Sequence, residues 1–247
     1  MNHASSIAAG LVAVSVLVAA PREAAAAPTH YTDAYDLVSA LVASPANTNV
    51  YNPGNLVDRI DWVGSPRTAI SVCATFVTML LKHSYGLTDA KFVTKTGTKS
   101  PNPLGYFNTI VKQSGFTRLG KIEQLVAGDL IAIRYPLGSS PSGHVQMVAS
   151  LGPFQAKAAS KQTFLATERA IYGFFDVGVI DSSSTYHGAL DTRAQKPGGI
   201  GRGGVYRVFV DSSLAVLGYT WSVAGNDYKK ESAGFNQVFG RLNLATW

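Results

Sequence analysis

Cys73, in the stretch SVCATFV, is the single cysteine of a 247-residue chain. One cysteine excludes an internal disulfide, and no clustered His/Cys set or H-E-x-x-H pattern offers a metal site. An inert buried thiol, an intermolecular pair and a nucleophile remain. Nucleophilic use needs a thiolate, a base within hydrogen-bond reach, and a third polar group that orients the base. Five histidines compete for the base. His3 falls in an apolar leader, and His30 in what reads as a frayed N-terminus. His83 lies late in the helix that starts at Cys73, too far along the axis. His144 and His187 remain. His144 opens a strand after a glycine-containing loop, where its ring can face a cleft while Val145 and Met147 pack inward. His187 sits in the loop STYHG, within reach of a substrate.

The elements that must hold these groups follow from hydrophobic periodicity. Apolar residues at near-helical spacing predict a helix over 31–44, closed by Pro45. A turn-rich connector and the loop GSPRT lead to a second helix that begins close to Cys73. Phe76, Val77, Leu80 and Leu81 form its apolar face, and Gly86 stops it. A helix N-terminus favours an anion through its unpaired N–H groups and macrodipole, so this is a good place for a thiolate and for an oxyanion. A further helix is predicted over 101–116. Strands are predicted over 130–135, 144–152, 174–181 and 203–211, with others within 215–224 and 239–242. Helices first and strands afterwards indicate an α+β fold with an antiparallel sheet.

Composition sets the compartment and narrows the partners. Residues 7–20 are apolar and uncharged, and PREAAAAP follows, the pattern of a secretory signal peptide cleaved near Ala25 or Ala27. The expected location is therefore secreted or periplasmic. No later apolar run predicts a membrane contact once the leader is removed. The sequence is 46% hydrophobic and 15% charged, enough for a sizeable core. Its net charge of +6 favours polyanionic surroundings. The basic residues are scattered, which argues against nucleic-acid binding. Nothing in the chain asks for a cofactor. GIGRGG (199–204) has the spacing of a dinucleotide loop but is followed by a strand pattern, so it reads as a plain glycine loop.

Taken in order, the helix-borne Cys, GDLIAI, GHVQMV and GVIDSS resemble the NlpC/P60 superfamily of papain-like cysteine peptidases and amidases. The resemblance is best over residues 60–185. It implies a papain-like, NlpC/P60-type α+β fold, with the cysteine helix packed on an antiparallel β-sheet. It also implies an exported thiol hydrolase that cuts an amide bond, with peptidoglycan stem peptide as the partner. Carried over, Cys73 is the nucleophile, His144 the base, and Asp181 the residue that orients the imidazole. Two positions depart from the pattern. Val72 stands where better-known members have Asp, and the third residue is Asp rather than His, Asn or Gln. Asp181 ends the strand after that of His144, so sheet pairing would bring its carboxylate to the far side of the ring.

Residues 1–27 are then the signal peptide, 28–60 an N-terminal helix and connector, and 61–247 the catalytic domain. Trp62 and Tyr51 are candidates for a cleft wall, with core packing as the competing role. His187 and Arg193 are candidates to contact substrate, Arg193 by bidentate pairing with a carboxylate or else by a structural ion pair. Two alternatives share the fold: an acyltransferase or transpeptidase, and a catalytically silent wall-binding domain with Cys73 merely buried.

Overall fold

A computed structural model describes residues 27–52, 54–193, 198–231 and 235–247. The leader expected over 1–27 lies, except for Ala27, outside the described residues. Helix α1 (Thr29–Ala43) buries Ala34, Leu37, Val38 and Leu41 on one face. His30 is not frayed: it is buried in the first turn of α1. Its Nε2 donates to the Gly128 carbonyl (2.7 Å), which leaves Nδ1 to accept from the Tyr85 hydroxyl (2.6 Å). Both ring nitrogens are thereby satisfied, as burial demands.

The connector contains three short strands where sequence pattern indicates only turns and loop. β1 (Asn49–Tyr51), β2 (Arg59–Ile60) and β3 (Ala69–Ser71) form a small sheet of order β1-β3-β2, with β1 parallel to β3. Strands this short display no alternation. Helix α2 (Cys73–Tyr85) starts two residues after β3 and ends at Gly86, whose φ of +62° suits glycine. α3 (Asp89–Thr96) has no counterpart in the predicted elements, since Phe92 is its only buried residue and leaves a weak apolar stripe. α4 (Pro103–Val111) is capped by Asn102, whose side chain accepts from the Gly105 N–H at 2.8 Å.

The remaining chain builds one nine-stranded sheet. Its members are β4 (Phe116–Leu119), β5 (Leu130–Arg134), β6 (Gly143–Leu151), β7 (Gln155–Ala156), β8 (Gly173–Ser183), β9 (Gly199–Val210), β10 (Val216–Thr220), β11 (Lys229–Lys230) and β12 (Asn236–Leu242). The order is β11-β10-β9-β8-β6-β5-β12-β4, with β7 on β8, and every pairing is antiparallel. One face packs against the helices through Val145, Met147 and Ile180. The other gathers Ile131, Ile133, Val179, Tyr206 and Tyr219. The sheet curls around this second core, because Tyr206 of β9 reaches Gln237 of β12 across three intervening strands (2.9 Å).

This architecture corrects the papain-like, NlpC/P60-type expectation. The sheet is far larger than a backing layer for the cysteine helix, and it carries a second core on the face away from α1 and α2. The C-terminal strand β12 inserts between β5 and β4 instead of extending an edge. Pairings this distant in sequence leave no local signal.

GIGRGG is not a loop. These residues are the first half of β9, where Gly201 pairs with Asp181. Their glycines answer to crowding: a Cβ on Gly201 would lie 2.4 Å from Arg193 Nε, and one on Gly204 2.6 Å from His187 Cβ. The run clears space above Asp181 for two long side chains.

Candidate active site

Cys73 is the first residue of α2 and is only 5% exposed. Val72, at the N-cap, has no side-chain acceptor, and Thr75 Oγ1 accepts from the Val72 N–H instead (3.1 Å). No side chain therefore caps the first turn around the thiol, and its N–H groups suit an oxyanion.

The hairpin of β5 and β6 sets the imidazole. His144 pairs with Ile133, and its Nε2 lies 2.7 Å from Asp181 Oδ2. The β6–β8 register, Met147 opposite Ile180, brings the two strand ends together. An ionised carboxylate only accepts, so Nε2 carries the proton and Nδ1 is left for the Cys73 thiol. Burial alone would lower the His144 pKa. The charge of Cys73, the hydrogen bonds to Asp181 and Cys73, and the charge of Asp181 outweigh it and push the value up to about 10. The ring is therefore held toward its protonated form between the Cys73 side chain and the Asp181 carboxylate.

Asp181 is fully buried and shared. Its Oδ2 also accepts from His187 Nε2 at 2.9 Å. Arg193 Nη2 lies 2.9 Å from Oδ1, an ion-pair contact without the alignment of a hydrogen bond. Burial alone would raise the Asp181 pKa. The charges of Arg193 and His187, with the hydrogen bonds from His144 and His187, hold the carboxyl well below the usual range. Asp191 secures Arg193 in turn, accepting from its Nε (2.9 Å) and Nη2 (2.6 Å) and from the His187 backbone N–H (2.9 Å).

Arg193 is thus no substrate contact: at 1% exposure it is committed to two carboxylates. Trp62 is not at the cleft either. Its ring stacks on His83 at 4.2 Å and 4°, farther along α2. His187 does line the cleft, stacked on Trp221 at 5.5 Å. Trp221 stands edge-on to His144 at 5.2 Å and forms a cleft wall. The cleft holds about 250 Å³ and includes Tyr51, Tyr135 and Pro141 besides Cys73 and His144. Burial first, then the charges of Cys73 and Asp181, raise the Tyr51 pKa, so its hydroxyl stays a donor beside the thiol. Tyr135 and Trp221 belong to no motif in the sequence. Only the place of Tyr135, at the loop before the His144 strand, gives any signal.

His144, Asp181 and His187 also bring possible metal-ligand atoms within 4.8 Å of one another. The Arg193 guanidinium already supplies the positive charge at this carboxylate, and both imidazoles donate to the same oxygen. The donor set fits a charge-oriented base better than a cation.

No family model matches the chain. Over 183 residues it is 31% identical to uncharacterized protein R653 of Acanthamoeba polyphaga mimivirus, covering 71% of this chain and 79% of the viral one. The chain belongs to the same family as that viral protein. No solved structure matches the chain. No helix among the described residues is long and apolar enough to cross a membrane.

Proposed function

We propose that this protein is an exported thiol hydrolase that cleaves an amide bond, with stem peptides of the cell wall as the substrate class. One observation carries the reading: the His144 imidazole stands between the Cys73 thiol at a helix N-terminus and the buried Asp181 carboxylate. Cys73 attacks the carbonyl carbon as a thiolate. The oxyanion receives the N–H groups of the first turn of α2, and the His144 imidazolium passes its proton to the departing amine. A thioester remains on Cys73. Neutral His144 then takes a proton from water as the water oxygen adds to the thioester carbonyl, and breaking of the C–S bond releases the acid and restores the thiolate beside the imidazolium. Export rests on the apolar leader pattern of residues 7–27, and the net charge of +6 suits an anionic wall.

The test is a zymogram on purified peptidoglycan, run with and without prior thiol alkylation, beside Cys73→Ala. Clearing that alkylation and Cys73→Ala both abolish is the expected result. Clearing that survives in Cys73→Ala would remove the nucleophile. Rapid alkylation of Cys73 without clearing would leave a thiol enzyme with a different amide substrate. A thiol that labels only after unfolding would favour a silent binding domain.

A further inference from the structure

A second cavity adjoins the cleft and has no part in the chemistry above. It holds about 310 Å³ and is walled by Leu104 of α4 and by Tyr135, Pro136, Leu137 and Ser142 of the loop joining β5 to β6, with Arg134 also lining it. Tyr135 belongs to both cavities. The two are also joined through the hairpin: Arg134 pairs with Gly143, one step from the Ile133–His144 pair that positions the base. Leu137 on that loop is entirely exposed. With Leu104 and Pro136 it gives the cavity a contiguous apolar rim, the kind of surface that suits an apolar occupant.

Arg134 gives this cavity its chemistry. Its guanidinium lies over the Phe107 ring (5.1 Å) and donates to Asn236 Oδ1, so its plane is fixed. No carboxylate among the described residues pairs with it. The acid that feels its charge, Glu231, instead accepts from Asn236 Nδ2 (3.0 Å) and the Gln237 N–H (3.1 Å). A guanidinium held in a fixed plane with unused N–H groups suits a carboxylate.

We propose that this cavity is a specificity subsite, taking an apolar side chain of the amide substrate and pairing Arg134 with a neighbouring carboxylate of the same substrate. This rests on the thiol-hydrolase reading and names its substrate class: an acidic peptide with an apolar side chain near the scissile bond. The chain would leave the thiol across Tyr135, with its apolar group against Leu104 and Leu137 and its acid at Arg134.

The test measures alkylation of Cys73 in the folded protein, so it does not need the natural substrate. Three reagents are compared: iodoacetamide, iodoacetamides bearing an N-alkyl chain in a graded series of lengths, and the same series ending in a carboxylate. The best-fitting alkyl chain should raise the rate over iodoacetamide by about tenfold, with saturation, as apolar burial implies. The terminal carboxylate should add about threefold, the scale of an exposed ion pair. In Arg134→Gln the carboxylate's advantage should vanish while the chain's persists. In Leu104→Ser the chain's advantage should shrink. Each rate is divided by the iodoacetamide rate of the same variant, so a general loss of reactivity cancels. If iodoacetamide labels rapidly but chain and carboxylate add nothing, the subsite is refuted and the thiol reading stands. Advantages that survive both substitutions refute the subsite equally. If iodoacetamide itself labels only unfolded protein, the thiol reading falls and the subsite with it.

Discussion

His144 Nε2 donates to Asp181 Oδ2 across 2.7 Å, while His187 donates to the same oxygen from the other side at 2.9 Å. One carboxylate oxygen thus serves two imidazoles, and Arg193 pairs with the other oxygen. The Arg193 and His187 charges and the two imidazole hydrogen bonds favour the ionised carboxylate and hold its pKa well below the usual range. The base is therefore oriented by a network of charges rather than by a single acceptor.

The thiol should react as a thiolate in the folded state. Iodoacetamide should label Cys73 quickly at pH values below the free-cysteine pKa of about 8.5. His144→Ala should slow that labelling by at least about tenfold, because the imidazolium partner is lost. Mass spectrometry of the labelled protein against pH reads both, and equal rates in the two proteins would separate His144 from the thiol.

Asp181 should be costly to remove. Asp181→Ala leaves the buried Arg193 facing one acid instead of two and frees both imidazole N–H groups. A stability loss of about 3–5 kcal/mol is expected by chemical denaturation. Turnover should fall strongly without vanishing, since Cys73 and His144 still pair. Asp181→Asn should keep more activity, because its amide oxygen still accepts from Nε2. Full activity in Asp181→Ala would show that another group orients the ring.

The candidate site is more legible in this sequence than the fold that carries it. The α2 start at Cys73, its Gly86 stop and the β5–β6 hairpin follow from local pattern, and these place the thiol and the base. The sheet order does not: the insertion of β12 and the curl that joins Tyr206 to Gln237 depend on contacts far apart in sequence. The glycines of 199–204 signal a loop by propensity. Their role is to make room for Arg193 and His187, a steric demand invisible in one dimension. For Arg193 the sequence leaves a substrate contact and a structural ion pair both open, since the two buried acids that claim it meet it only once β8 and β9 are paired.

Stability should depend on pH in two opposed ways. The His144 pKa rises on folding from 6.5 to about 10, so the folded state holds that proton more tightly. Its contribution is full below pH 6.5 and is lost as pH climbs through about 10. Each such proton changes stability by at most about 1.4 kcal/mol per pH unit. Asp181 behaves oppositely. Its folded pKa is depressed, so its contribution is present above the ordinary 3.8 and is lost as pH falls toward the lowered value. Denaturation midpoints across pH should show a plateau between these limits. A stability that rose between pH 7 and 10 would contradict the imidazolium.

His187 should tune the base without replacing it. Its Nε2 competes with His144 for Asp181 Oδ2, and its ring is stacked on Trp221. His187→Phe keeps the stack and removes the donation, so the fold should persist. Asp181 then gives its full acceptor strength to His144, which holds the imidazolium more firmly. The alkaline limb of kcat/KM should move upward, and turnover should fall by about tenfold, within the range of a positioning change in acid–base catalysis. His144→Phe, by contrast, should abolish both the limb and the activity. A pH–rate profile measured for the two variants separates the roles: loss of activity in His187→Phe with survival in His144→Phe would exchange them.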